Sequence, residues 1–170
     1  MAASLVIRLT GGNTNNNGLN SLGGVMSANE PSNSSMTNLF PNVTPAEANN
    51  GCNHYSMIDI FNSGDANAYN VDLFMDTPTS SNASEIYFGT DANNTIHNAA
   101  WNGEVLNNCY AAPASPSMNF TYNNAGSPKR LPTIEANNAV RVCLRWTTNN
   151  NAPSTTQDLG TIGVQWTPSA

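Results

Sequence analysis

The stretch Val140-Arg141-Val142-Cys143-Leu144-Arg145-Trp146 alternates large apolar side chains with arginine or cysteine, in a period of two. Because successive side chains of a β-strand point to opposite faces of its sheet, this period predicts a strand with one face inward. The valines, the leucine and the tryptophan would form the buried face. The stretch therefore predicts a β-protein whose sheet covers a hydrophobic core.

The same period recurs along the chain, at residues 69–75, 117–122 and 161–166, with shorter candidate strands at 5–9, 55–61 and 85–88. Between these runs lie clusters of Asn, Gly, Asp and Pro, which favour turns. Seven or more short strands separated by turns are typical of a β-sandwich. We expect an all-β fold, a single antiparallel β-sandwich of jelly-roll or immunoglobulin-like type.

One short helix is expected between the early strands. Thr44-Pro45-Ala46-Glu47 matches a capping box with proline at the first helical position, and Gly51 lies where a helix would end. A helix this short can only connect strands. Residues 11–35 are rich in Asn, Ser and Gly, so we expect residues 1–35 to form an N-terminal strand and arm, and residues 36–170 to form the sandwich.

The chain is polar without being strongly charged. Only 9% of its 170 residues are charged, against about a quarter in ordinary globular proteins, whereas 30 are asparagine. Five Lys and Arg residues and a net charge of −6 argue against nucleic-acid binding. The longest apolar runs are far shorter than the roughly 20 residues of a membrane-spanning helix, so no membrane role is expected.

The N-terminus and the cysteines indicate synthesis in a cytoplasm. Met1-Ala2-Ala3-Ser4 is not a basic region followed by an apolar segment, so no secretory signal is expected. Cys52, Cys109 and Cys143 are odd in number and lack a C-x-x-C spacing, which signals neither a disulfide framework nor a zinc site. Three buried free thiols is the favoured interpretation, with one disulfide and a spare thiol as the alternative.

The sequence offers no convincing catalytic set, so we predict that the protein is not an enzyme, with no catalytic, cofactor-binding or metal-binding residue. Neither His54 nor His97 lies near a G-x-S-x-G nucleophile motif, and both are expected to be satisfied polar residues. A glycosidase needs two carboxylates across a cleft. Asp59, Asp72 and Asp76 lie on or beside predicted strands, where we expect them to be solvated or to cap turns.

The sequence also contains candidates for a calcium site and for a sugar-binding site. The Asn- and Asp-rich segments 62–67 and 91–94 carry oxygens that could bind calcium, but they lack the spacing of a calcium loop and are expected to be turns. Trp146 and Trp166 continue inward-facing alternations and should pack in the core. Trp101, in an Asn-rich loop, is the one candidate for a sugar-stacking platform.

Five segments follow one another in a recognisable order: Ile7-Arg8-Leu9-Thr10-Gly11-Gly12, Ser21-Leu22-Gly23-Gly24-Val25-Met26-Ser27, residues 38–48 with Gly51, residues 55–62 and residues 69–75. Taken in order, these segments resemble a family of tailed-phage virion proteins encoded with the capsid genes. The resemblance covers roughly the first half of the chain and fades after Asp76. Near Tyr55 the chain departs from the family, which tends to carry an arginine there.

The resemblance implies a viral structural protein: a bacteriophage capsid decoration, or cement, protein. Such proteins are typically β-sandwich domains on the outer capsid surface of the virion, often homotrimers that bind the major capsid protein. The resemblance thus implies a noncatalytic protein that stabilises capsid subunit junctions after synthesis in the host cytoplasm. Because it rests on family likeness, it identifies no contact residues.

Three alternatives remain open at this point: another virion component such as a tail or baseplate protein, a carbohydrate-binding module, and a hydrolase with paired carboxylates in a cleft. The N-terminal strand also has two interpretations. Leu5-Val6-Ile7 could add a strand to a neighbouring subunit's sheet, or it could belong to its own sandwich, which we favour.

Overall fold

Residues 140–146 lie in the middle of the longest strand pair of the described residues. In the computed structural model, which describes residues 2–31, 39–114, 118–153 and 158–168, strand β7 spans Asn138–Thr148 and strand β2 spans Cys52–Asn62. The two strands are antiparallel, with Val142 opposite Ile58 and Asp59 opposite Arg141. This pair forms the centre of the larger sheet.

Two antiparallel sheets make the fold an all-β sandwich, as predicted. The strands other than β2 and β7 are β1 Leu5–Leu9, β3 Ala68–Thr77, β4 Ser84–Gly89, β5 Ile96–Asn98, β6 Lys129–Arg130 and β8 Thr161–Pro168. The larger sheet has the order β1-β2-β7-β4, with β5 also beside β7, and the smaller sheet has the order β6-β3-β8. The predicted strands at 5–9, 55–61, 69–75, 85–88, 140–146 and 161–166 are confirmed.

The strand order is that of an immunoglobulin-like sandwich. The sequence β1-β2-β7-β4 corresponds to strands A-B-E-D of that architecture, and the neighbours β3 and β8 correspond to C and F. Strand G of that architecture would lie beside β8, and none of the described strands occupies this place. The outer edge of β8 is therefore an unpaired edge of the smaller sheet among the described residues.

The main hydrophobic core lies between the two sheets. It joins the inward side chains of β2 and β7 to those of β3, with partly buried residues of β8 packed against it. Trp166 packs against this core, as predicted, and Trp146 contacts Phe40 and His54. The buried members from these three strands are Ile58, Ile60, Ala68, Val71, Leu73, Met75, Val140, Val142 and Leu144.

The second face of the larger sheet is buried as well, contrary to the one-sided burial expected for β7. Arg141 is only 3% exposed and Cys143 is fully buried. Loops cover this face and enclose a second, smaller apolar cluster around Tyr55 and Met57. We call residues 11–31 and 99–114 the loop layer; they pair with each other through the hydrogen bonds Leu106 N–H to Leu22 O and Gly24 N–H to Glu104 O.

The predicted connector helix is confirmed. Helix α1 spans Pro45–Asn50 and begins with a complete capping box between Thr44 and Glu47. It ends at Gly51, whose φ of 78° turns the chain directly into β2. This turn is tight, because a Cβ on Gly51 would lie 3.0 Å from the carbonyl oxygen of Thr148.

The N-terminal strand belongs to its own sandwich, as favoured. β1 pairs with β2 from Leu5 opposite Asn62 to Leu9 opposite Ile58. Residues 11–31 form a loop with one 3₁₀ turn, Gly18–Asn20, and they pack on their own chain, with Ser21 fully buried. The expected boundary between residues 35 and 36 lies outside the described residues.

The predicted strand at 117–122 is wrong. Residues 118–122 make a single antiparallel bridge, between Thr121 and Phe88 at the edge of β4. Met118 and Phe120 instead turn their side chains into the smaller apolar cluster. Residue 117 lies outside the described residues. The alternation here arises because the chain runs along a sheet edge with one side facing a core.

Asparagine side chains shape many of the turns. In six turns of the described residues an asparagine Oδ1 accepts the backbone N–H two residues ahead, which is the geometry of an Asx-turn. Four of the five non-glycine residues that have positive φ in the same part of the chain are also asparagines. The six Asx-turn residues are Asn15, Asn17, Asn62, Asn98, Asn108 and Asn124.

Candidate functional site

A buried ion pair joins the two central strands. Arg141 Nε and Nη2 each donate to one oxygen of Asp59, both at 2.8 Å. Asp59 is 0% exposed, so the expectation that it is solvated or caps a turn is wrong. The two residues are directly opposite each other in the antiparallel ladder, which gives the planar guanidinium a two-pronged contact with the carboxylate.

The same guanidinium holds the loop layer against the sheet. Arg141 Nη1 donates to the carbonyl oxygens of Gly103 and Glu104, and Nη2 donates to that of Gly24. These carbonyls belong to the two loops that pair with each other. One buried arginine therefore joins β2, β7 and both parts of the loop layer.

Close packing continues where the loops meet. Gly23 has a φ of 101°, and a Cβ placed on it would lie 1.9 Å from the carbonyl oxygen of Glu104. Only glycine can occupy this position without moving the opposite loop. The Gly23-Gly24 pair is thus required by the approach of residues 103–105.

His97 and Trp101 close the same cluster. His97 lies in β5 rather than in a loop, and its ring stacks on Trp101 with centroids 4.3 Å apart. Its Nε2 lies 3.3 Å from Asp59 Oδ1 but makes no hydrogen bond in the described structure. The Arg141 guanidinium lies 4.8 Å from the centre of the Trp101 ring. Trp101 is therefore engaged in internal stacking and is a poor sugar platform.

Glu104 carries an unusual carboxyl group at the edge of this cluster. Its Oε2 is buried and has no hydrogen-bond partner among the described residues. Burial raises the pKa of Glu104, and the nearby negative charge of Asp91 raises it further. The Arg141 and His97 side chains oppose this increase. The protonated, neutral form of Glu104 is thus favoured more than the protonated form of an exposed glutamate.

A second polar cluster lies where helix α1 meets β2. His54 is completely buried, and its Nε2 lies 3.0 Å from Glu47 Oε1. The Tyr110 and Trp146 rings meet the imidazole edge-on, with centroid distances of 5.2 and 5.7 Å. His54 is therefore packed and partnered through Nε2, but its buried Nδ1 has no hydrogen-bond partner among the described residues, so only one of its ring nitrogens is satisfied as expected.

Cys52 completes this cluster. One potential ligand atom from each of Glu47, Cys52 and His54 lies within 4.8 Å of the others. All three thiols of the chain are free, but only Cys143 is buried; Cys52 and Cys109 are half-buried. Burial raises the pKa of the Cys52 thiol, and the charge of Glu47 adds to this. The three residues were not predicted as a set, although they lie within eight positions of one another, because their spacing does not match the C-x-x-C spacing that signals a zinc site.

The other acidic candidates have identifiable partners or positions. Asp72 accepts two hydrogen bonds from Arg130, so it too is not simply solvated, whereas Asp76 is exposed. The two segments considered for calcium use their oxygens in turns. Asp91 Oδ1 accepts the N–H groups of Asn93 and Thr95, and Asp65 Oδ1 accepts that of Ala2.

All five basic side chains contact other groups of the protein. Arg8 pairs with Glu30, and Arg130 and Arg141 pair with aspartates. Lys129 Nζ lies 3.4 Å from the Thr121 hydroxyl. The Arg145 guanidinium lies 4.4 Å from the centre of the Tyr87 ring. The positive charges are thus used to hold the fold together.

The outer surface carries several large hydrophobic side chains. Val105 and Tyr110 are 60% and 61% exposed, and both belong to the loop layer, as does Leu19. The other exposed large hydrophobic side chains in the described part of the chain are those of Tyr69, Tyr122 and Leu159. None of the helices in the described residues is long and apolar enough to cross a membrane.

Comparisons of the chain with protein-family models, with curated proteins and with solved structures found no match. The function must therefore be inferred from the protein's own surface and polar clusters. Of the features above, the sequence pointed to His54, His97, Asp59 and Trp101 singly. It did not indicate that Arg141 contacts two of them, Asp59 and Trp101.

Proposed function

We propose that this protein is a noncatalytic capsid decoration, or cement, protein. It would bind the outer capsid lattice of a bacteriophage and bridge subunits of the major capsid protein. The order of the segments that resemble phage virion proteins supports this assignment, and so does the sandwich fold. By the same likeness, we propose a homotrimer on the virion surface that is made in the host cytoplasm.

The observation that carries the proposal is the loop layer with its exposed apolar side chains. Val105 and Tyr110 protrude from loops that Arg141 fixes to the sheet. A surface held rigid before binding loses little conformational entropy when it docks. Apolar and aromatic side chains with neutral polar neighbours are typical of protein–protein interfaces, whose centres are depleted of charge.

The charge distribution supports a protein partner. Because the five basic side chains contact internal partners, few positive charges remain to attract phosphates. Asparagine, serine and threonine side chains can hydrogen-bond a partner with a smaller desolvation cost than ions. Many weak contacts of this kind, repeated over a shell, act together with high effective concentration.

The first experiment is cryo-electron microscopy of the intact particle from the phage that encodes the chain. Density for this sandwich at capsid subunit junctions is the expected result. Density only in the tail would replace the proposal with a tail or baseplate role. Absence from the particle would overturn the virion assignment, and binding of glycans by the isolated protein would then favour a carbohydrate-binding module.

A matched pair of variants tests the proposed surface. Val105→Glu places a charge on the loop layer, and Leu159→Glu places one on an exposed side chain ahead of β8. Co-sedimentation with particles that lack the protein should show weaker binding for Val105→Glu and unchanged binding for Leu159→Glu. Circular dichroism spectra of both variants would establish that they are folded. Equal binding by both variants would exclude the loop layer as the docking surface.

A further inference from the structure

We infer that Glu47, Cys52 and His54 form a binding site for a zinc ion at the junction of helix α1 and strand β2. Their potential ligand atoms all lie within 4.8 Å of one another. Zn²⁺ bonds of about 2.3 Å to sulfur and about 2.0–2.2 Å to nitrogen or oxygen place tetrahedral ligands roughly 3.3–3.7 Å apart. Small side-chain movements therefore suffice to bring these three atoms onto one ion.

Glu47 is already oriented for such a role. Its Oε2 accepts hydrogen bonds from the backbone N–H and the hydroxyl of Thr44, both at 2.8 Å. Its Oε1 faces His54 Nε2 at 3.0 Å. The capping box thus fixes one oxygen, and a metal ion would replace the hydrogen bond between the other oxygen and His54. Carboxylate ligands are commonly supported by neighbouring hydrogen bonds in this way.

The backbone brings the other two ligands alongside it. Cys52 and His54 are two residues apart in β2, so their side chains leave the strand on the same face. Gly51 reverses the chain between the helix and the strand, which returns Cys52 to the level of Glu47. The ligand positions are therefore held by a capped helix, a tight turn and a central strand rather than by free loops.

The chemistry of the set favours zinc over harder ions. A thiolate, an imidazole and one carboxylate oxygen suit Zn²⁺, whereas Ca²⁺ and Mg²⁺ prefer sites made of oxygen alone. Three protein ligands leave a fourth position, which water can fill because Cys52 is half-buried and the Glu47 side chain is 25% exposed. Binding through His54 Nε2 places the ring proton on Nδ1, and the Cys52 thiol releases its proton to solvent.

The test is a titration of the purified, reduced and chelator-treated protein with Zn²⁺ alone, followed by equilibrium dialysis. We expect one ion per chain. Co²⁺ in place of Zn²⁺ should give a thiolate charge-transfer band and the strong visible bands of a tetrahedral site. Absence of stoichiometric binding, or a cobalt spectrum without a thiolate band, would overturn the inference.

Variants identify the ligands and exclude chance binding. Cys52→Ser and Glu47→Gln should each weaken Zn²⁺ binding by about tenfold or more, because each removes an anionic ligand. Cys109→Ser removes a half-buried thiol outside the set and should leave the affinity unchanged. Circular dichroism would check the fold of every variant. Loss of binding in Cys109→Ser, or its survival in Cys52→Ser, would refute the assignment. None of these outcomes depends on particle binding.

Discussion

The buried arginine allows a sharp test of what holds the loop layer in place. Replacing Arg141 by methionine keeps most of its stem but removes five hydrogen bonds, two of them to Asp59 and three to backbone carbonyls of the loops. Asp59 is then left as a buried carboxylate with His97 Nε2 as its nearest remaining partner, at 3.3 Å. Breaking a buried ion pair in this way costs about 3–5 kcal/mol. We expect the free energy of unfolding to fall by at least about 3 kcal/mol.

A second arginine provides the matched control. Arg130 and Asp72 are also directly opposite each other on antiparallel strands and also make a two-pronged contact, but the Arg130 side chain is 59% exposed. Water and Gln165 can replace the lost partner of Asp72, so Arg130→Met should cost roughly 1 kcal/mol. The contrast between the two variants isolates the effect of burial from that of geometry.

The assay is urea-induced unfolding followed by tryptophan fluorescence and circular dichroism. The double variant Asp59→Leu with Arg141→Met should recover at least about 2 kcal/mol relative to Arg141→Met alone, because apolar replacement of a whole buried pair is often nearly neutral. If Arg141→Met costs no more than Arg130→Met, the arginine does not hold the layers together and the reasoning fails.

Three further predictions concern single side chains. Burial raises the pKa of Glu104 above its value in the unfolded chain, so the folded state loses stability as the pH rises and the carboxyl group ionises. Urea unfolding should therefore show that Glu104→Gln is more stable than the natural protein at pH 7 and equally stable at pH 3. Gly23→Ala should lower the free energy of unfolding by more than about 2 kcal/mol, because its Cβ would clash with the carbonyl oxygen of Glu104. Gly12 also has positive φ but faces open space, so Gly12→Ala should lower the free energy of unfolding by only about 1–2 kcal/mol. Equal losses in the two variants would exclude the clash at Gly23. The pKa of Glu47 is lowered from 4.5 to about 2, so its carboxylate stabilises the folded state fully above pH 4.5, and this stabilisation is lost as the pH falls through 2. The thermal unfolding temperature of Glu47→Gln should therefore lie below that of the natural protein at pH 7 and approach it near pH 2.

The alternation of β7 illustrates how far the sequence can be interpreted. A period of two shows that Val140 and Val142 share a face, and this face does cover the core. It says nothing about what lies over the opposite face. The loop layer buries Arg141 and Cys143 there because distant segments return to that side of the sheet, and only the tertiary fold brings them together.

The candidate site was less accessible to sequence reasoning for the same reason. Asp59 is the one acidic residue of β2, and Arg141 is one of two arginines in β7, a signal that could have suggested a cross-strand ion pair. Trp101 looked like an exposed loop residue because nothing near it in sequence shows that His97 stacks on it. In contrast, the capping box of Glu47 is local, and its prediction was confirmed because all of its partners lie within four residues.

The asparagine turns have a consequence for the environments in which the protein keeps its shape. An Asx-turn is a hydrogen bond between neutral groups, so dissolved ions do not screen it as they screen exposed ion pairs, over about 10 Å at 0.1 M salt. Loops closed by charged side chains would loosen as salt is added and tighten again on dilution. Turns such as those at Asn15 and Asn108 should keep the same conformation in both media. Because neutral amides close these turns, the conformation of the surface loops of this protein should be largely independent of ionic strength.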